Sequence, residues 1–344
     1  MSLILALMLQ ASVAAPSTAN CTGARHGEVC TEEGRAALRA ALDVKPLQAE
    51  TADGVEVYRA FYLEGGGGLP AVAFVRRPGH SPSVEVSSGA NRKMTADVPQ
   101  EAWRQIQQAG DELLVPVEVR TPAPIDVCMD GGAIFAEIGL PSPDNRSRAR
   151  IKQLSSSSCE SNAIVSFARL AAKLAEPLFP ACAAISGEVA PDGVFRLSNC
   201  FRFSGDEMAA AEVFSRARQN LRILDDDSIT RKRLEWRRVT GVDPWTRLQW
   251  AGRDIPRNRV GHDEGGATDF LIAREGECTG LSFEPGRVHG VSSTVVEVDG
   301  FASCRPADRQ GQSVYATYRQ VWRRAPHSDW RVMEWVVGPF APVT

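Results

Sequence analysis

Apolar residues in the first half of the chain switch between two periods. Val55, Val57, Phe61 and Leu63, then Val72, Phe74, Val84 and Val86, alternate with polar residues, which predicts strands over 55–88 broken at Gly65–Gly68 and Pro78-Gly79. Behind Pro99, Ala102, Trp103, Ile106, Ala109 and Leu113 fall three to four apart, so a helix is expected there with Asp97 as its cap. Ile164, Val165, Phe167, Ala168, Leu170, Ala171 and Leu174 mark another helix, ended by Pro177 and Pro180. A shorter one is predicted over 31–42, where Glu32 and Glu33 suit the positive end of the helix dipole. Between these, Ile125–Cys128 and Ile134–Ile138 read as strand, 146–154 as an exposed strand and Ser155–Ser158 as a turn. From 206 to 224 the pattern is again helical, with more helical charge over 231–238. After a Gly-rich loop at 252–266, strands dominate: one over 292–304 with Asp299-Gly300 as a turn signal, one over 314–324 and one over 330–337, the last two joined through 325–329.

The predicted class is α+β in two parts, an N-terminal domain with strands and two covering helices over 20–202 and a second domain over 203–344. The length of 344 residues suits about two domains. At 43% hydrophobic and 24% charged the chain has an ordinary globular composition, which excludes collagenous, coiled-coil and wholly disordered classes. A net charge of −3 lacks the basic footprint that nucleic acid demands.

The first residues, with an apolar core at Leu3–Leu9 followed by Ala14, Ala15 and Ala19, read as a signal peptide over 1–19, cut after Ala14 or Ala19. An apolar run of this length also fits a core helix, and it is too short to span a membrane. Export gives meaning to the eight cysteines, Cys21, Cys30, Cys128, Cys159, Cys182, Cys200, Cys278 and Cys304. An even count in an exported chain reads as disulfides, and neighbour pairing gives 21–30, 128–159, 182–200 and 278–304. Only five of the 39 basic residues are lysine, which suggests a GC-rich bacterial source, so the expected address is periplasmic or secreted.

The middle block, with Trp103 on a helix, Cys128 on a strand, Cys159, and a helix closing on Pro180-Ala181-Cys182, resembles uncharacterised exported bacterial proteins over roughly 70–182. The end of the chain carries a second likeness. Helices followed by strands that close in Tyr315–Arg324, a short turn and Asp329–Pro339, with Trp322 before Arg323-Arg324 and Trp330 after the turn, resemble the SnoaL-like, nuclear-transport-factor-2-like cone fold over about 206–344. The resemblance implies a curved antiparallel sheet around a cavity, with Trp322 and Trp330 facing inward. Strand alternation then sets Tyr318 and Gln320 on that face of one strand and Val332, Glu334 and Val336 on that face of the other. A carboxylate there would be desolvated and its pKa raised, so Glu334 is the candidate acid or base, although a one-residue slip in register turns these positions to solvent. The Asp–His arrangement of the enzymatic members has no counterpart here.

Other chemistry is thin. Gly65–Gly68 lacks the Lys-Ser/Thr of a phosphate loop, Asp225-Asp226-Asp227 lacks the spacing of a calcium loop, and His262-Asp263-Glu264 reads as a polar surface loop rather than a metal site. No nucleophile or zinc-protease motif is present, and no metal or cofactor is expected. The expectation is a non-catalytic module binding a small hydrophobic ligand or an envelope protein partner, through Tyr318, Gln320, Trp322, Trp330 and Glu334. The alternative is a cofactor-free isomerase, cyclase or hydrolase acting on a small hydrophobic substrate through Glu334.

Overall fold

The computed structural model describes residues 31–63, 70–88, 92–115, 132–142, 149–158, 160–187, 192–219, 246–255, 281–306, 313–326 and 328–342. The chain is α+β and divides into two compact units between Ala171 and Ala172, within the helix Ala163–Ala175. The boundary expected at 203 falls inside the second unit.

The first unit is built on a six-stranded antiparallel sheet. Its strands are β1 (Glu56–Leu63), β2 (Pro70–Arg76), β3 (Ser83–Ser88), β4 (Lys93–Asp97), β5 (Ala133–Leu140) and β6 (Arg150–Ser157), in the order β4-β3-β2-β1-β5-β6. Helices cover both faces, so the central strands β1 and β5 are buried at every position rather than at alternate ones. On one face, α1 (Glu32–Ala41) contributes Leu38, which with Leu42 packs on Phe61, Leu63 and Phe135. The short α2 (Leu47–Ala52) sets Leu47 against Val57 and Val75. On the other face lies α3 (Gln100–Leu114), whose Trp103 meets Tyr58 edge to face at 5.6 Å. Two turns further on, Gly110 lies where any Cβ would strike the Tyr58 ring. The Tyr62 hydroxyl donates to the Ala168 carbonyl of α4 (Ala163–Ala175), 2.5 Å away.

Three local expectations change. Pro99, not Asp97, precedes α3, and Asp97 ends β4. Ser155–Ser157 extend β6 instead of turning, paired with Phe135, Ile134 and Ala133. The layer of α1 and α2 adds a second covered face, and with it a buried polar row.

Glu137 is fully buried at the middle of β5, directly opposite Arg59 on β1 and Gln153 on β6. Its Oε1 accepts from Arg39 Nη1 (2.7 Å) and Gln153 Nε2 (3.1 Å), and its Oε2 from Arg59 Nη1 (2.8 Å). Arg39 donates onward to Glu32 (2.7 Å) and Arg59 to Glu50 (2.6 Å). Charges therefore alternate from α1 through the sheet to α2. Burial pushes the Glu50 carboxyl above its ordinary range, although the Arg59 charge and hydrogen bond pull it down. This row fastens the α1–α2 layer by a means that pure apolar packing does not need, because each charge is viable only with its neighbours in place.

The second unit carries α5 (Pro180–Ala183), α6 (Gly193–Asn199), α7 (Glu207–Gln219) and a mixed sheet. Its strands are β7 (Phe203–Gly205), β8 (Arg247–Trp250), β9 (Arg253–Ile255), β10 (Ser282–Ser292), β11 (Val295–Cys304), β12 (Val314–Arg324), β13 (Trp330–Val337) and β14 (Ala341–Pro342). The order is β7-β10-β11-β12-β13-β8-β9, with β14 beside β12. The meander β10 to β13 is antiparallel, as expected, but β7 joins β10 and β8 joins β13 in parallel. Asp299-Gly300 is no turn: it lies inside β11, where Gly300 has no room for a Cβ against the Glu284 carbonyl and the Tyr318 ring. Cys182 and Cys200 form the disulfide that neighbour pairing gives, with Cα atoms 5.0 Å apart, tying α5 to the end of α6. A bridge over this loop contributes about 3 kcal/mol. Cys304 is disulfide-bonded too. Cys21, Cys30, Cys128, Cys159 and Cys278 lie outside the described residues, as do the proposed signal segment and the 220–224 and 231–238 stretches. Among the described residues no helix is long and apolar enough to cross a membrane.

The buried charge row makes a prediction about stability. Glu137→Gln leaves Arg39 and Arg59 without the charge between them and should cost the first unit about 3–5 kcal/mol in urea denaturation.

Candidate functional site

The buried face of the β12–β13 hairpin follows from alternation along β12. Ala316, Tyr318, Gln320 and Trp322 are buried, while Tyr315, Thr317, Arg319 and Arg323 are exposed. Four of the five predicted binding residues, Tyr318, Gln320, Trp322 and Trp330, are buried, at no more than 3% exposure.

Glu334 is the exception. Val321 faces Glu334 but the next residue, Trp322, faces Val332, so β13 carries one extra residue, Met333, at a β-bulge. Before the bulge Trp330 and Val332 point inward. After it the buried positions are Trp335 and Val337, while Met333 is exposed and Glu334 and Val336 are half-buried. The expectation that Glu334 shares the face of Gln320 and Trp322 is thus overturned, and by a bulge in its own strand rather than by a slip of the whole hairpin. Its carboxylate, 39% exposed, lies 3.6 Å from Arg247 on the neighbouring β8.

In place of a carboxylate the buried face carries aromatic rings. Phe283 of β10 meets Tyr318 at 5.4 Å and Trp335 at 4.8 Å, both edge to face. Trp250 and Phe340 extend the group toward the surface, 5.5 Å apart. Burial, reinforced by the negative charges of Glu284 and Asp299, raises the Tyr318 phenol well above its ordinary range, so it stays neutral. The Gln320 amide oxygen accepts from the Trp322 indole, 2.9 Å away. Trp330 sits apart from this group: its indole donates to Glu212 of α7 (2.8 Å), and Arg324 both pairs with that carboxylate (2.6 Å) and stacks over the ring (4.7 Å).

Sequence reasoning missed three members. Trp335 and Phe283 belong to the inner group, Trp335 because the bulge was invisible. The third is a contact between Ser204 Oγ and His289 Nδ1 (3.0 Å), created by the parallel pairing of β7 with β10. Glu297 lies opposite His289 on β11, but its carboxylate is taken by Arg319 at 2.7 Å. Among the described residues no third group orients the serine–histidine contact as a nucleophile would require. Among the described residues no cluster of His, Cys, Asp and Glu could hold a metal ion. Asp225–Asp227 and His262–Glu264 fall outside the described residues.

No family model, no curated protein and no solved structure matches the chain.

The bulge and the glycine predict opposite outcomes on one sheet. Glu334→Gln, at a half-buried and loosely paired position, should change stability by less than about 0.5 kcal/mol. Gly300→Ala, which forces a methyl group into the Glu284 carbonyl and the Tyr318 ring, should cost about 1–3 kcal/mol in the same denaturation assay.

Proposed function

We propose that this is an exported bacterial protein, periplasmic or secreted, whose second unit is a non-catalytic module that binds a small hydrophobic ligand within a cone-type sheet of the SnoaL-like kind. Three features support the reading. A helix, α7, precedes a sheet that closes in the Trp322–Trp330 hairpin. The buried face of that sheet offers aromatic surface with a phenol and an amide. The Cys182–Cys200 bridge suits an oxidising compartment.

The single observation that carries it is the Met333 bulge. By sending Glu334 to the outer face, it leaves Tyr318, held neutral, and Gln320, which does not titrate, as the polar groups flanked by Phe283 and Trp335. Such groups bind and orient but supply no proton acceptor near neutral pH. The acid–base reading through Glu334 draws support from no contact, since the carboxylate pairs with Arg247 on the other side of the strand.

Native mass spectrometry of the protein purified from the compartment that receives it tests this directly. The expected result is a small apolar molecule that travels with the native protein and leaves on denaturation. Protein that is consistently empty, yet recovered in stoichiometric complex with an envelope protein, would contradict the ligand reading.

A further inference from the structure

Strand β4 closes one edge of the first sheet: it pairs with β3, and among the described residues no strand lies on its other side. The hydrogen bonds that bracket β4 fix which of its residues turn their backbone outward. At one end Ser88 N donates to Arg92 O (3.0 Å), and at the other Val98 N donates to Pro82 O (3.0 Å). Antiparallel alternation between these two points directs the backbone of Met94 and Ala96 toward β3. Lys93, Thr95 and Asp97 therefore present their N–H and C=O groups to the open edge. Their side chains are exposed, whereas Met94 and Ala96 are half-buried.

An open row of this kind is a template for another strand, and a lysine on it repels that strand unless a counter-charge meets it. In β4 the counter-charge is on the same strand. Lys93 and Asp97 stand two residues to either side of Thr95, so a two-fold axis through Thr95 sets Lys93 opposite the partner's Asp97, and Asp97 opposite the partner's Lys93. The same axis sets Met94 against the partner's Ala96, long against short on the other face. In this register the outward backbone groups meet, and each of the three pairs centred on Thr95 exchanges two N–H···O bonds. Lys93 lies 3.7 Å from Glu85 and keeps 38% exposure, so its charge remains available at the edge. The opposite edge strand, β6, has only Arg150 and Lys152 as charged residues and offers a second copy no counter-charge.

We propose that β4 is a self-association edge: two copies of the chain join β4 to β4, antiparallel across Thr95, and so merge their six-stranded sheets into one. The partner is a second copy of this chain, and the proposal is independent of the ligand reading of the second unit. Five residues from each copy bury little surface, so the dimer is reversible and depends on concentration. Its two ion pairs lie at the surface, so added salt weakens it.

Sedimentation equilibrium of the full-length, disulfide-intact protein over a range of concentrations reads the monomer–dimer constant. Asp97→Lys sets lysine against lysine at both charged pairs and should weaken the dimer by about tenfold. Exchanging the two charges, Lys93→Asp together with Asp97→Lys, should restore it to within about threefold of wild type. Thr95→Pro removes the outward N–H at the axis but no bond to β3, so it should also weaken the dimer by about tenfold. It tests the edge without altering charge, and keeps the test open if a charge variant fails to fold. A wild-type chain that stays monomeric at every concentration would overturn the proposal. So would a dimer whose constant neither Asp97→Lys nor Thr95→Pro moves.

Discussion

Met333 is the one residue by which β13 exceeds its partner, and the chemistry of the second unit depends on where that residue falls. Strand alternation is rigid: each position's face is set by its parity, and only an inserted residue resets the count. Ahead of Met333 the parity brings Trp330 and Val332 inward; behind it Trp335 and Val337 are inward. Had β13 been regular, Glu334 would stand beside Gln320 and Trp322, a carboxylate among buried rings. With the bulge, Trp335 takes that place opposite Gln320, and the face reads as aromatic surface with neutral hydrogen-bonding groups.

The first unit depends on a constraint of another kind. An antiparallel sheet covered on both faces has no solvent side to receive the polar residues of its central strands. Arg59 and Glu137, which alternation alone would send to water, are placed opposite each other and completed by Arg39 and Glu50 from the covering layer. A similar device operates on the opposite face, where Glu56 accepts from Tyr58 (2.8 Å) and Gln107 (2.9 Å) and pairs with Arg76, while Arg76 lies over Trp103 at 5.2 Å. Each helical layer is thereby joined to the sheet by charge-assisted bonds as well as by apolar contact, and such bonds specify one docking geometry.

Much of this was legible from residue order. The helices behind Pro99 and over 164–174 and the hairpin at the end follow from hydrophobic period, whereas the β12 face carrying Tyr318, Gln320 and Trp322 comes from the resemblance that turns Trp322 inward, with alternation carrying it to the other two. Period fails where tertiary context resets it. Arg59 interrupts an otherwise apolar series, and nothing local says that Glu137, 78 residues away, neutralises it. Asp299-Gly300 has the composition of a turn, yet the glycine is there because the Tyr318 ring needs its Cβ volume. The Met333 bulge has no sequence mark, since a strand with one residue too many looks like any other strand. The Ser204–His289 contact is equally silent, because parallel pairing joins residues that no short-range pattern connects.

Thiol accessibility at the bulge tests the central claim most directly. In a regular strand, neighbouring residues point to opposite faces, so only one of two adjacent cysteines would react with a charged maleimide. The bulge places Met333 and Glu334 both within reach of solvent, at 43% and 39% exposure. With the native disulfides intact, Met333→Cys and Glu334→Cys should each label at rates close to that of a free thiol. Protection of Glu334→Cys beside a reactive Met333→Cys would mean that the carboxylate faces inward, and would contradict the outward placement of Glu334 by the bulge.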